Sequence, residues 1–172
     1  MPTFAVVAFG PPSQAEDLRK LRAACHSDER PTIDMHVTVQ PPFDASEPRD
    51  LAIAVGRAVV SFPAFSLRTE AAEVISDGEY STIILPIEEC PPFEDLRGRL
   101  ARAVAPVVAT LGTARGRVTI ATRIPRDRVD EALRAVTGWR ANYSWIVRDI
   151  DLIEKREGAP WQFIERFSFG RP

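Results

Sequence analysis

Lysine is almost missing from this chain. Of 22 basic side chains only Lys20 and Lys155 are lysines, and 24 acidic residues leave a net charge of −2. That balance excludes a global field that would draw the protein to nucleic acid or an anionic membrane, so any anion site must be local. The arginine bias, with abundant Ala and Val, is the composition that a GC-rich genome would give. Cysteine is as scarce: Cys25 and Cys90 are the only two, which makes neither a disulfide framework nor a metal spacing. Reduced thiols and a cytoplasmic location are therefore expected. No apolar run is long enough to cross a bilayer. The N-terminal run Thr3–Phe9 lacks a basic flank and is cut by Gly10-Pro11-Pro12, so it reads as a strand rather than a signal peptide. Histidine occurs twice, as His26 and His36.

What is present fits a globular protein. A chain of 172 residues, 45% hydrophobic and 27% charged, has the size of one domain, or of two small lobes sharing a core. Thr3–Phe9 reads as a strand. Ser13 is placed as the cap of a helix to about Ala24, with Glu16 as its capping-box partner. Asp34–Gln40 is a second strand. A helix from Ser46 or Glu47 to Val60 carries Pro48 in its first turn. Phe65–Ile75 and Tyr80–Ile87 form a hairpin around Ser76-Asp77-Gly78. Pro92-Phe93 opens a helix to about Thr110 with Gly112 as its stop. Arg117–Thr122 is a strand, and Pro125 or Arg126 to Val136 is a helix. Asn142–Glu154 and Trp161–Phe169 close the chain as a hairpin. Each half thus contains a helix, a strand, a helix and a hairpin, with an extra strand before the first. No linker separates the halves, so one domain, 1–172, is expected.

Function is most visible at His36-Val37-Thr38-Val39, which runs into Gln40-Pro41-Pro42-Phe43. A partial copy stands 81 positions later as Arg117-Val118-Thr119-Ile120. In a strand, residues i and i+2 share a face. His36 and Thr38 therefore point together, as do Arg117 and Thr119, while the valines and isoleucine turn to a core. Two such strands side by side present two hydroxyls and two basic groups to one groove, which suits a phosphate.

These residues resemble those of the two-histidine phosphoesterase superfamily, which includes the 2′-5′ RNA ligase-like proteins and cyclic nucleotide phosphodiesterases. His36-Val37-Thr38-Val39 with Pro41-Pro42-Phe43 is similar to the family's first motif. Arg117-Val118-Thr119-Ile120-Ala121 is similar to the second, except at its first position. Trp145 to Leu152, then Gly158 and Trp161, resembles the closing hairpin. The resemblance implies an α+β fold of two pseudo-symmetric lobes, antiparallel sheet with flanking helices around a central groove. It implies a 2′,3′-cyclic phosphate or a 2′-5′ phosphodiester of RNA or a small nucleotide bound there. One histidine acts as general base and the other as general acid, Thr38 and Thr119 hold phosphate oxygens, and no metal or cofactor is needed. Imidazole is suited to both roles near neutral pH.

This sequence departs from the pattern at Arg117. Arginine stays protonated, so it cannot be a base and is a very poor acid, yet its forked donors can clamp phosphate. Three readings stay open: a degenerate member that binds without turnover, a slow phosphoesterase running on His36, or an abandoned groove with Arg117 on its surface. The expected site is catalytic His36, Thr38 and Thr119, with Arg117, Arg115 and Arg123 as phosphate ligands. Arg126 and Arg128 extend a basic rim or are solvated helix-start residues. His26 lies in the wrong lobe to replace the missing partner. Tyr80, Trp139, Tyr143, Trp145 and Trp161 are base-stacking candidates or core aromatics, and Phe43 is a groove wall or a packing staple. Cys25 beside His26 lacks an orienting acid and is rejected as a nucleophile. The expected partner is a phosphorylated small molecule or RNA end in the groove of a monomer, the alternative being a catalytically inactive module that binds RNA, a nucleotide or a protein partner.

Overall fold

A computed structural model describes residues 2–25, 33–45, 47–108, 115–139 and 142–170. Among these residues nine strands and four helices are placed. Their order is β1 (Thr3–Phe9), α1 (Pro12–Ala24), β2 (His36–Asp44), α2 (Pro48–Val59), β3 (Phe65–Arg68), β4 (Glu73–Ser76), β5 (Tyr80–Pro86), α3 (Pro91–Val104), β6 (Arg117–Pro125), α4 (Val129–Trp139), β7 (Ser144–Val147), β8 (Asp149–Lys155) and β9 (Gln162–Ser168). One lobe holds the four-stranded sheet β2-β1-β8-β9, and the other holds β4-β5-β6. A third, two-stranded ladder joins β3 to β7. Among the described residues no helix is long and apolar enough to cross a membrane.

The two lobes repeat each other pair by pair. Thr3 faces Asp44 and Phe9 faces His36 across β1 and β2, while Tyr80 faces Pro125 and Pro86 faces Arg117 across β5 and β6. Each residue of β5 in this ladder stands 77 positions after its counterpart in β1, as Tyr80 does after Thr3. Each paired residue of β6 stands 81 after its counterpart in β2, as Arg117 does after His36. Even the bulges coincide. Val39 and Ile120 are skipped at equivalent points in the two ladders, so Gln40 and Ala121 turn inward beside them and all four are buried. A bulge shifts the alternation of side chains by one residue, and here it ends the shared face of each motif strand at its threonine.

Each repeat is strand, helix, strand, helix, strand, strand. The unmatched strand is therefore β9 at the end of the chain, and the strand before the first helix has its counterpart in β5. Two expected strands are also broken in the structure. Phe65–Ile75 divides into β3 and β4, and Asn142–Glu154 divides into β7 and β8. The cause is the crossing ladder: Phe65 pairs with Val147 and Arg68 with Ser144, so each repeat lends its fifth element to a join with the other. At the front, α1 starts at Pro12 with Pro11 as its cap and no side-chain cap bond. The Ser13–Glu16 capping box does not form, because prolines, lacking an N–H and with φ preset, already begin the turn. The helix α3 ends at Val104 and passes into a 3₁₀ turn, Ala105–Val107; the expected stop at Thr110 and Gly112 lies outside the described residues. Strands β2 and β6 both run longer than expected, to Asp44 and Pro125, and α4 begins three residues later, after a 3₁₀ turn at Arg126–Arg128.

One core serves both lobes. Phe4, Val6, Val37 and Val39 from the first sheet join Ile83, Leu85, Val118 and Ile120 from the second, with Leu18 and Leu96 from the helices. Helix α1 of the first repeat packs on β6 and α4, and α3 of the second packs on β2, so each helix covers the other lobe. Gly116 sits tight against α3: a Cβ there would run into Cε1 of the buried Phe93 ring. Gly116→Ala is expected to destabilise the protein by about 1–3 kcal/mol through overpacking, measured by urea unfolding.

Candidate active site

Strands β2 and β6 lie against one another where the lobes meet, and each turns its motif face away from the core. Val37, Val39, Val118 and Ile120 are fully buried. Between them His36, Thr38 and Thr119 are half-buried and Arg117 is exposed. The cross-strand register extends this face into lobe one, because Phe9 stands opposite His36 and Val7 opposite both Thr38 and Asp151. Val7, Ala5 and Ile153 form a second apolar cluster there, with Phe9, Ile33 and Trp161 packed around it.

His36 is held by its backbone neighbourhood. Its Nδ1 lies 2.7 Å from the Asp34 carbonyl, and since a carbonyl only accepts, Nδ1 carries the proton and Nε2 is left as the base. The ring meets Phe9 edge-on, at 6.2 Å between centroids. Burial lowers the imidazole pKa below its ordinary value. The Asp34 carbonyl opposes that, the Arg22 guanidinium reinforces it, and the Asp34 carboxylate opposes it again. His36 is thus neutral at pH 7, the form that accepts a proton. A lowered folded pKa means that the unfolded chain takes up the proton first as pH falls. The His36 contribution to stability is therefore complete above about pH 6.5, the unfolded value, and declines as pH drops from there to the folded pKa. His36→Gln is expected to flatten this part of a stability–pH curve measured by urea unfolding.

Arg22 is the site residue that the sequence concealed. Its Nη1 donates to the Ile33 carbonyl at 2.9 Å and its Nη2 to the Thr119 carbonyl at 2.9 Å. One guanidinium from α1 thereby ties the approach to β2 to the centre of β6. Burial lowers its pKa, with Asp34 and Tyr143 opposing, and a guanidinium so placed stays charged. Its Nε is buried without a partner among the described residues. The available signal was positional: Arg22 stands four residues after Leu18 and seven after Ala15, on the buried stripe of α1.

The other expected ligands take several places. Arg117 heads β6 and makes no ion pair among the described residues. Arg115 donates from Nη2 to Glu70 at 2.8 Å. Arg123 has a φ of 51° and lies 4.6 Å over the Tyr80 ring, six residues along β6 from Arg117, so it faces the distal end of that strand. Arg126 and Arg128 are exposed in the 3₁₀ turn beyond it. His26 lies outside the described residues. Cys25 is buried, and burial pushes its thiol up to about 11, which leaves it unreactive. Phe43 is a core residue stacked on Phe4 at 6.4 Å. The Trp139 indole and the Tyr143 hydroxyl both donate to Asp17 Oδ2, each at 3.0 Å.

A second hidden feature lies on the same face. Asp151 is 0% exposed, and Arg166 of β9 grips it with two bonds, Nε to Oδ1 at 2.8 Å and Nη2 to Oδ2 at 3.1 Å. Thr38, Val7, Asp151 and Arg166 thus form one row across four adjacent strands.

Two α+β lobes meeting at paired His-x-Thr and Arg-x-Thr strands define a phosphoesterase-like class. The chain belongs to the 2′-5′ RNA ligase superfamily, whose family model matches residues 10–159. Solved structures agree in fold. TT0787 of Thermus thermophilus is 15% identical with a TM-score of 0.71, over 99% of this chain and 100% of that one. E. coli LigT complexed with 3′-AMP is 14% identical with a TM-score of 0.66, over 99% and 100%. Kluyveromyces marxianus Usb1 with uridine monophosphate is 10% identical with a TM-score of 0.55, over 94% and 97%. No curated protein matches the chain by sequence.

Proposed function

We propose that the chain binds 2′,3′-cyclic or 2′-5′ phosphodiester ends of RNA or small nucleotides between β2 and β6, and hydrolyses them slowly. The observation that carries this reading is the duplicated register, which gives His36 and Arg117, and Thr38 and Thr119, equivalent places in two ladders whose strands pack together. The nucleotides held by LigT and Usb1 support the same ligand class.

Each residue then has a role that its chemistry allows. Thr38 and Thr119 donate their hydroxyls to phosphate oxygens; neither hydroxyl has another partner among the described residues. Nε2 of His36 takes a proton from the attacking water as that oxygen bonds to phosphorus and the bond to a ribose oxygen breaks. With no second histidine, the departing oxygen takes its proton from the imidazolium or from solvent. Arg117 holds the phosphoryl oxygens and offsets the charge that builds on them. Arg115, already paired with Glu70, and Arg123, over the Tyr80 ring at the far end of β6, stand outside this cradle.

A second reading, binding without turnover, is favoured by Arg117 itself, since a permanent cation removes one of two proton-transfer groups. Both readings require the phosphate cradle. Thr38→Val and Thr119→Val are each expected to weaken binding of 2′,3′-cyclic AMP about tenfold, the loss of one hydrogen bond to a charged acceptor. Isothermal titration calorimetry measures this, and unchanged affinity in both variants would remove the phosphate from this place.

A further inference from the structure

Beside His36, on the lobe-one side, lies a cavity of about 440 Å³. It opens between the β1–α1 turn, the β7–β8 junction and the end of β9. Phe9, Pro11, Pro12 and Ile146 give it apolar walls. Phe9 is shared with the site, because the same ring meets the His36 imidazole. Asp34, whose carbonyl orients His36, also lines the cavity.

The polar groups around it are mostly balanced. Arg19 pairs with Asp34 at 3.1 Å, and Arg166 with Asp149 at 3.7 Å as well as with Asp151. Arg148 also lines the cavity and has no ion pair among the described residues. Carboxylates and guanidiniums that neutralise each other make a poor second anion site. They do leave hydrogen-bond donors and acceptors side by side over apolar walls. One donor is conspicuous. Trp145 lines the cavity, is 6% exposed, and its indole Nε1 has no hydrogen-bond partner among the described residues. A buried N–H without a partner is uncommon and calls for an acceptor.

A neutral, flat group carrying both donors and acceptors suits such a place. We propose that this cavity is a nucleoside subsite, receiving the base and ribose of a nucleotide whose phosphate lies at His36 and Thr38. The proposal rests on the phosphate reading given above and adds a direction to it. The two-fold repeat is broken at two points, the His36/Arg117 position and the unmatched strand β9. Arg166 on β9 lines the cavity, so this rim belongs to the His36 lobe only. A volume of about 440 Å³ falls within the range of small-molecule sites.

The test is calorimetric titration of the whole chain with 2′,3′-cyclic AMP, adenosine and inorganic phosphate. Wild type is compared with Trp145→Phe, Ile146→Trp and the double variant Thr38→Val/Thr119→Val. Trp145→Phe removes the N–H and keeps an aromatic ring in a smaller side chain, while Ile146→Trp fills an exposed wall without disturbing the core. The expected result is a roughly threefold to tenfold loss of cyclic AMP affinity in Trp145→Phe, the range for one hydrogen bond. Ile146→Trp should lose more, with inorganic phosphate unaffected in both. Cyclic AMP binding that depends on the threonines but ignores both cavity variants would overturn the subsite and leave the phosphate site standing. Adenosine binding that depends on the cavity, with no gain from the phosphate and no effect of the threonines, would keep the subsite and overturn the phosphate reading. No binding of any probe would overturn both.

Discussion

Arg117→His is expected to raise 2′,3′-cyclic phosphate hydrolysis by about 10²–10⁴-fold, the contribution of one positioned proton-transfer group. The register makes this a placed substitution. Arg117 stands opposite Pro86 as His36 stands opposite Phe9, and both ladders continue through a valine and a threonine to a bulge. A histidine at 117 would sit at the head of β6 as His36 sits at the head of β2, on the same side as Thr119. The position is exposed and makes no ion pair among the described residues, so the exchange should cost little stability. Steady-state rates with 2′,3′-cyclic AMP give the answer. A gain that vanishes when His36 is also replaced by Ala identifies a two-histidine mechanism restored. An unchanged rate, with affinity for the cyclic nucleotide retained, would show that the missing group is not what limits turnover.

Arg22→Met should lower unfolding stability by about 2–4 kcal/mol, because two charge-assisted bonds to carbonyls are lost together. Methionine suits the position, which lies on the buried stripe of α1, so packing is largely kept and the loss reports the bonds. The second effect is electrostatic. Arg22 is one of the groups that lower the His36 pKa, and without its charge the imidazolium becomes easier to form. The His36 titration, followed by proton NMR, should therefore move upward in Arg22→Met. A stability loss with an unmoved titration would confine Arg22 to a structural tie between α1 and β6.

The sequence showed the local half of this arrangement. Strand β1 falls at Thr3–Phe9 as its β-branched and aromatic run predicts, and the 81-residue spacing of the motifs is the repeat distance of the structure. Periodicity placed His36 with Thr38 and Arg117 with Thr119. What it could not place were partners set by long-range pairing. The β3–β7 ladder joins segments about eighty residues apart and cuts two expected strands in half. Strand β5 forms the expected hairpin, with β4, and only its further pairing with β6 identifies it as the second copy of β1. Arg22 left only its place on the buried stripe of α1 as a signal, and the bonds that Arg22 makes to Thr119 and Asp151 to Arg166 join residues far apart or on separate strands. Arg115 and Arg123 were grouped by sequence proximity to Arg117. Along an extended strand, however, six residues span roughly 20 Å, which separates Arg123 from the motif.

The most direct measurement is hydrolysis of 2′,3′-cyclic AMP by the wild type and by His36→Ala, at pH values on both sides of neutrality. Slow turnover by the wild type that rises as His36 loses its proton, and disappears in His36→Ala, is the predicted result. Turnover that survives His36→Ala would place the chemistry elsewhere and contradict the account.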